Sequence, residues 1–222
     1  MAKHLDLEEQ EQLDELKHFW KTYGNLITWV LIAVFGSIAA WNGYQYWQRS
    51  QAIQAAAMYD EIDRAAAAGD LQRLERATAD IKDKYSRTTY ASQGVMLGAR
   101  VFQENAKPDL AKQALQWVVD STPDAAYAAI ARLRLAGLAM ETKAYDEALK
   151  ILEKPFPTEF EALVEDRRGD VANLQGSRER AVTHYQKAFR LFDERSEYRR
   201  LVEIKLNALG VEPAAVPATK GA

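Results

Sequence analysis

The sequence predicts an all-α protein: one N-terminal transmembrane helix followed by a tetratricopeptide-like stack of antiparallel helix pairs. Three observations carry this. Lys21 and Arg49 bracket 27 consecutive positions without a charged residue. From residue 50 onward helix formers (Ala, Leu, Gln, Glu, Lys, Arg) dominate, and no sustained period-two alternation appears. Turn signals then recur at short intervals: Gly69-Asp70, Ser86, Lys107-Pro108-Asp109, Ser121-Thr122-Pro123-Asp124, Lys154-Pro155-Phe156-Pro157 and Gly176-Ser177.

The first segment, residues 1–23, is acidic. Residues 1–21 hold Lys3, Lys17 and Lys21 against Asp6, Glu8, Glu9, Glu11, Asp14 and Glu15. Leu13, Leu16, Phe19 and Trp20 recur at spacings of three and four, and Asp6 with Glu9 reads as a helix start. Two readings stand: a short amphipathic helix running into the membrane, or a solvated acidic tail with a chance apolar stripe.

Residues 24–47 form the predicted span. Its centre, Leu26 to Trp41, is almost wholly apolar, and a bilayer core of about 30 Å needs roughly 20 such residues. Phe19, Trp20 and Tyr23 lie at one end; Trp41, Tyr44, Tyr46 and Trp47 lie at the other. Aromatic rings favour the headgroup level, so Trp20, Tyr23, Trp41, Tyr44, Tyr46 and Trp47 are the expected interface anchors. A buried core helix has no reason to carry two such belts. Ser37-Ile38-Ala39 offers a small-x-small cleavage site, yet the preceding region is long and acidic and the apolar run continues past it. An uncleaved anchor is the expectation. Lys3, Lys17 and Lys21 before the span, against Arg49 and Arg64 after it, bias the N-terminus towards the cytoplasm by a small margin.

Residues 48–209 form the predicted repeat domain. Helices are expected near 51–68, 70–84, 88–105, 109–120, 124–141, 145–154, 159–174, 177–192 and 196–208, and loops this short imply antiparallel neighbours. An aromatic residue opens each unit at Tyr59, Tyr90, Tyr127 and Phe160, spaced by 31, 37 and 33 residues, near the 34 of a tetratricopeptide repeat. The pattern is clearest in the last two units. Ala136 and Ala139 precede Tyr145, Ala148 and Leu152; Gly169 and Ala172 precede Gly176, Ala181, Tyr185 and Ala188. Where two helices cross closely, a large side chain at Ala148 or Ala181 would hold them apart, and Leu152 and Tyr185 fill the groove alongside. Gly98, Ala99 and Phe102 suggest the same first helix one unit earlier, with Ala111, Ala114, Leu115, Trp117 and Val118 following. The pair at 51–85 carries no clear motif. Leu201, Ile204, Leu206 and Leu209 mark a capping helix, and the Pro/Ala-rich residues 210–222 read as a disordered tail.

Chemistry is not expected. The chain has no cysteine and three histidines, His4, His18 and His184, at no metal-binding spacing. No nucleophile elbow, phosphate-binding glycine loop or dinucleotide fingerprint occurs. Glu165-Asp166 and Asp193-Glu194 stand beside Arg167-Arg168 and Arg195 and read as solvated faces with local ion pairs. Beyond residue 21 the chain carries 26 cations and 26 anions, so it lacks the basic footprint of a nucleic-acid binder. A concave helical stack binds polypeptides. The expectation is a protein-binding, non-catalytic chain with no cofactor, metal or small-molecule substrate.

Three stretches carry a family resemblance: Glu11-Gln12-Leu13-Asp14-Glu15-Leu16-Lys17-His18-Phe19-Trp20-Lys21, Trp41-Asn42-Gly43-Tyr44-Gln45-Tyr46-Trp47-Gln48-Arg49, and Glu203-Ile204-Lys205-Leu206-Asn207-Ala208-Leu209. In this order and spacing they resemble the YfgM family, the ancillary subunit of the bacterial SecYEG translocon, over residues 5 to 209. The resemblance implies a single-pass inner-membrane protein with its N-terminus in the cytoplasm and its helical domain in the periplasm. It also implies partners: the SecYEG translocon, a PpiD-like membrane-anchored chaperone, and newly exported polypeptides. The family has no established catalytic residues. The repeats alone would equally suit a scaffold for another envelope complex, as in cytochrome maturation or cell division.

Overall fold

The computed structural model describes residues 7–212, with side chains from residue 11 onward. Among these residues there is no strand. The helices are α1 (Leu7–Ala67), α2 (Leu71–Lys84), α3 (Thr89–Glu104), α4 (Pro108–Ser121), α5 (Ala125–Glu141), α6 (Tyr145–Leu152), α7 (Glu161–Leu174), α8 (Arg178–Leu191) and α9 (Glu197–Ala208), with one 3₁₀ turn at Thr158–Phe160. Of the expected tail, residues 213–222 lie outside the described residues.

The sequence reading divided the first 68 residues into a tail, a span and a separate helix. The structure runs them together as the 61-residue α1. The reason is local: the first proline of the chain is Pro108, and a lone Gly24, Gly36 or Gly43 weakens a helix without ending it.

The chain divides into two units, Met1–Gln51 and Ala52–Ala222. In the first, large apolar side chains face outward: Trp29 is 65% exposed, Phe35 64% and Trp41 63%. α1 is the one helix among the described residues long and apolar enough to cross a membrane. The surface that water would penalise is the surface a bilayer accepts.

The second unit is a succession of helices in which each packs on the next. Its starts are capped in several places. The Asp70 carboxylate accepts the Arg73 N–H at 3.0 Å, the Thr88 hydroxyl accepts the Ala91 N–H at 3.2 Å, and the Asp124 carboxylate accepts the Ala126 N–H at 2.8 Å. Pro108 opens α4 at a position where its missing N–H costs nothing. Three apolar clusters run along the stack. The first joins Ile62, Leu74 and Ile81 to Val95, Phe102, Leu115 and Val118; the second gathers Ala136, Ala148, Leu152 and Val171; the third holds Ala181, Tyr185 and Ala188 under Val202 and Leu206 of α9.

Candidate protein-interaction surface

The repeat register is written in backbone conformation. Among the described residues five adopt a left-handed φ: Gly69 (67°), Ala106 (56°), Lys143 (59°), Gly176 (74°) and Gly210 (71°). Each follows a helix and closes it with the same pair of hydrogen bonds. At Lys143, for example, its N–H donates to the Met140 carbonyl at 3.0 Å and the Ala144 N–H donates to the Ala139 carbonyl at 2.8 Å. Four of these residues join the two helices of a pair, α1–α2, α3–α4, α5–α6 and α7–α8. The fifth closes α9, which thus ends as the first helix of a pair does, with no second helix after it among the described residues.

This register sorts the packing residues. Seven positions before each left-handed residue on a first helix stand Ile62, Ala99, Ala136 and Gly169; five positions after it on the second helix stand Leu74, Ala111, Ala148 and Ala181; nine after it stand Thr78, Leu115, Leu152 and Tyr185. All of these are buried. In the last pair the fit is closest: a Cβ on Gly169 would sit 2.5 Å from two carbons of the Tyr185 ring. Gly98 falls one position off the register, and its bare Cα admits Thr78 instead, whose Oγ1 a Cβ would meet at 2.9 Å. The first pair inverts the scheme. Its bulk lies on the first helix, at Ile62, and Gly94 of α3 receives it, since a Cβ there would meet the Ile62 methyl at 2.8 Å. For the same reason Tyr59 is not the counterpart of Tyr90, Tyr127 and Phe160. Those three lie sixteen residues before a left-handed position and Tyr59 only ten, which explains the odd 31-residue spacing.

The expected membrane-interface anchors all lie on α1 with their rings outward: Trp20 60%, Tyr23 49%, Trp41 63%, Tyr44 51%, Tyr46 78% and Trp47 53% exposed.

One expectation is corrected. Glu165 and Asp166 are not on a solvated face; their residues are 2% and 8% exposed. The Arg168 guanidinium donates to Glu165 at 2.8 Å, as a local pair should, but the same carboxylate also meets His184 Nδ1 at 2.7 Å and Lys187 Nζ at 3.2 Å, both on α8. Arg168 further donates to the Leu152 carbonyl of the preceding pair at 2.8 Å. Asp166 accepts from Lys205 of α9 at 2.7 Å, and Asp170 accepts from Lys205 at 2.6 Å and from the Tyr185 hydroxyl at 2.8 Å. Burial pushes the Glu165 carboxyl up, but His184, Lys187 and Arg168 outweigh it and hold the group below its ordinary value. For Asp166, burial and the neighbouring Asp170 charge win over Lys205, and the carboxyl titrates higher than usual. Burial and Asp170 likewise raise the Tyr185 hydroxyl. The sequence signalled these residues only as a charge run; that they bridge three helices follows from the register, with Asp166, Asp170 and Lys205 brought together across 35 to 39 residues. Each carboxylate is engaged by its neighbours, so the cluster reads as an adhesive for α7, α8 and α9.

Adjacent first helices α3 and α5 are tied along their length. Gln93 donates to the Tyr127 hydroxyl at 2.5 Å, Arg134 to the Met96 carbonyl at 3.3 Å and Gln103 to Glu141 at 2.7 Å. Burial and the nearby Arg100 charge push the Arg134 guanidinium below its ordinary value. On the side of the second helices, α4, α5, α6 and Pro155 enclose a cleft of about 440 Å³. Among the described residues no three His, Cys, Asp or Glu side chains converge as a metal site.

The tetratricopeptide repeat-like domain family matches residues 17–211. The chain is 28% identical over 213 residues to the "Ancillary SecYEG translocon subunit" of Neisseria gonorrhoeae, covering 94% of this chain and 100% of that protein. Proteins of the same name in Haemophilus influenzae (24% identity over 209 residues; 91% of this chain, 98% of that one) and Escherichia coli (23% over 203 residues; 91% and 97%) are also similar.

Proposed function

This chain belongs to the tetratricopeptide repeat-like domain family, and from that premise we propose that it is a non-catalytic, membrane-anchored protein-binding subunit ancillary to a SecYEG-type translocon. The observation that carries the reading is the end-to-end similarity to proteins bearing that name, anchor included. In this reading α1 spans the inner membrane with the N-terminus in the cytoplasm, and the repeat domain lies in the periplasm. There it meets chains as they leave the channel and links the channel to a PpiD-like chaperone. The physical advantage is tethering. A binding surface held by a membrane helix acts at an effective concentration of about millimolar where the geometry permits. Weak contacts then suffice to catch and release a passing chain.

The test is affinity purification of the full-length chain from detergent-solubilised membranes, with quantitative identification of what accompanies it. Translocon subunits together with a periplasmic chaperone are expected. Recovery of neither, or of a different envelope complex in their place, would refute the assignment. Accessibility of a cysteine introduced at exposed Arg190 to a membrane-impermeant thiol reagent in intact cells tests the topology; labelling is expected only if the repeat domain is outside the cytoplasm.

A further inference from the structure

We propose that the cleft bounded by α4, α5, α6 and Pro155 binds a short extended stretch of a partner polypeptide, taking one apolar side chain onto its floor and an adjacent carboxylate at its rim. The proposal deepens the reading of this chain as a protein-binding subunit and rests on it. The cleft encloses about 440 Å³, within the range of roughly 300–1,000 Å³ typical of ligand pockets. Leu135 forms the floor, 4% exposed, and the half-buried Val119 and Ile151 with Pro155 form apolar walls.

The charges around the rim do not balance. Its two anions are engaged: Asp120 accepts both hydrogen bonds of the Gln116 amide at 3.0 Å, and Glu147 is paired with Lys112 at 2.6 Å. Its three cations, Arg132, Lys150 and Lys154, have no ion pair among the described residues. Arg132 is also held in place: it donates to the Pro155 carbonyl at 2.5 Å, and its guanidinium lies 5.4 Å from the centre of the Phe156 ring. An apolar floor beneath a surplus of positive charge complements a leucine-like side chain with an Asp, a Glu or a chain terminus beside it. A cationic segment is repelled, and a neutral one uses the floor alone.

The test uses the full-length chain in lipid nanodiscs and fluorescein-labelled octapeptide pools, read by anisotropy. The pools carry a central Leu-Glu, Leu-Gln or Ser-Glu, with the other positions randomised among Gly, Ser and Ala. The Leu-Glu pool is expected to bind about ten-fold tighter than either control. The double variant Lys150→Glu with Lys154→Glu, at two exposed positions, is expected to erase that preference while leaving helical content unchanged. No saturable binding of the Leu-Glu pool, equal binding of all pools, or a preference that survives the double variant overturns the proposal. Co-purification of translocon subunits with the unmodified chain, measured in parallel, separates the two readings. If it persists while the peptide preference is absent, the cleft assignment alone falls.

Discussion

Gly169→Ala tests the packing scheme at its tightest point. In the middle of an exposed helix the change would stabilise by up to about 1 kcal/mol, because glycine gives up more backbone freedom. Here the added Cβ would stand 2.5 Å from Cδ1 and Cε1 of Tyr185, well inside any tolerable contact. The ring cannot swing aside freely. It is 2% exposed, and its hydroxyl donates to Asp170 at 2.8 Å. Relief requires the helices to part, at about 1–3 kcal/mol, or the buried hydrogen bond to break, at about 1–3 kcal/mol. The net cost is about 1 kcal/mol after the helix-propensity gain, a fall in Tm of about 2–4 °C for a domain of this size. Gly137→Ala is the internal control. That glycine also lies inside a helix, α5, but a Cβ there meets nothing within 4 Å, so its Tm is expected to rise by about 2–4 °C. Thermal unfolding of the detergent-solubilised chain, followed by circular dichroism, reads both. The earlier pairs suggest a repair, since Ala136 shares a cluster with Leu152 and Ala99 with Leu115. Combining Gly169→Ala with Tyr185→Leu recreates that pairing and should cost less than the two single changes added together. Gly169→Ala and Gly137→Ala moving Tm in the same direction by similar amounts would refute the close approach of α7 and α8.

Other outcomes follow from the same geometry. Lys143→Gly relieves a left-handed conformation that costs a non-glycine residue about 1–2 kcal/mol; less glycine's extra freedom when unfolded, a gain of about 0.5–1 kcal/mol in urea unfolding is expected, and a loss would show that the turn is not left-handed. Lys205→Met leaves Asp166 and Asp170 facing each other without their shared cation; hydrogen exchange in α9 should quicken at pH 7 while that in α3 to α5 stays unchanged, and Asp166→Asn should partly restore protection. Glu165 titrates below its unfolded value, so it contributes stability above about pH 4.5 that is lost as pH falls through its folded pKa. Asp166 is raised, and its contribution runs the opposite way, present below about pH 3.9 and lost as pH rises through its folded pKa. Glu165→Gln should therefore flatten the acid limb of the stability profile and Asp166→Asn steepen it; identical profiles for the two variants would contradict the assignment.

Legibility varied along the chain for physical reasons. The last two pairs were readable because their small positions and their large positions are filled by residues that announce the role, Ala148 and Ala181, Leu152 and Tyr185, and the last pair also closes at Gly176. The preceding turns at Ala106 and Lys143 take the same left-handed shape with residues that give no hint of it. There the helix ends are held by the paired hydrogen bonds and the packing on either side, which override local preference. The first pair was obscure because bulk and space exchanged places, with Ile62 supplying the bulk and Gly94 of the next pair the space. A motif search looks within one repeat and misses a fit completed by its neighbour. The buried charges were misread because a run of mixed signs looks the same whether its partners are water or side chains 19 to 39 residues away. His184, which the sequence showed only as a histidine at no metal-binding spacing, closes the Glu165 site.

The distribution of forces along the stack has a consequence for how it can open. Between α2 and α5 the contacts are mainly apolar, and a helix there resists local separation because it must expose its whole apolar face to water to leave. At α9 the apolar share falls to Val202 and Leu206, while Leu201 and Ile204 point outward at 52% and 58% exposure. The rest of the attachment is Leu209 and Val211 at the margin of the cluster, Tyr198 stacked on Phe192, the Arg199 guanidinium 4.2 Å from the centre of the Phe189 ring, Lys205 on two carboxylates and Arg178 donating to the Leu209 carbonyl. The hydrogen bonds within these ion pairs are directional, so they fail together once the helix shifts, and water then takes up the exposed charges. The last helix should therefore detach as a unit and at lower free energy than any other in the domain. Its departure would expose Asp166, Asp170 and the Tyr185 edge of the stack.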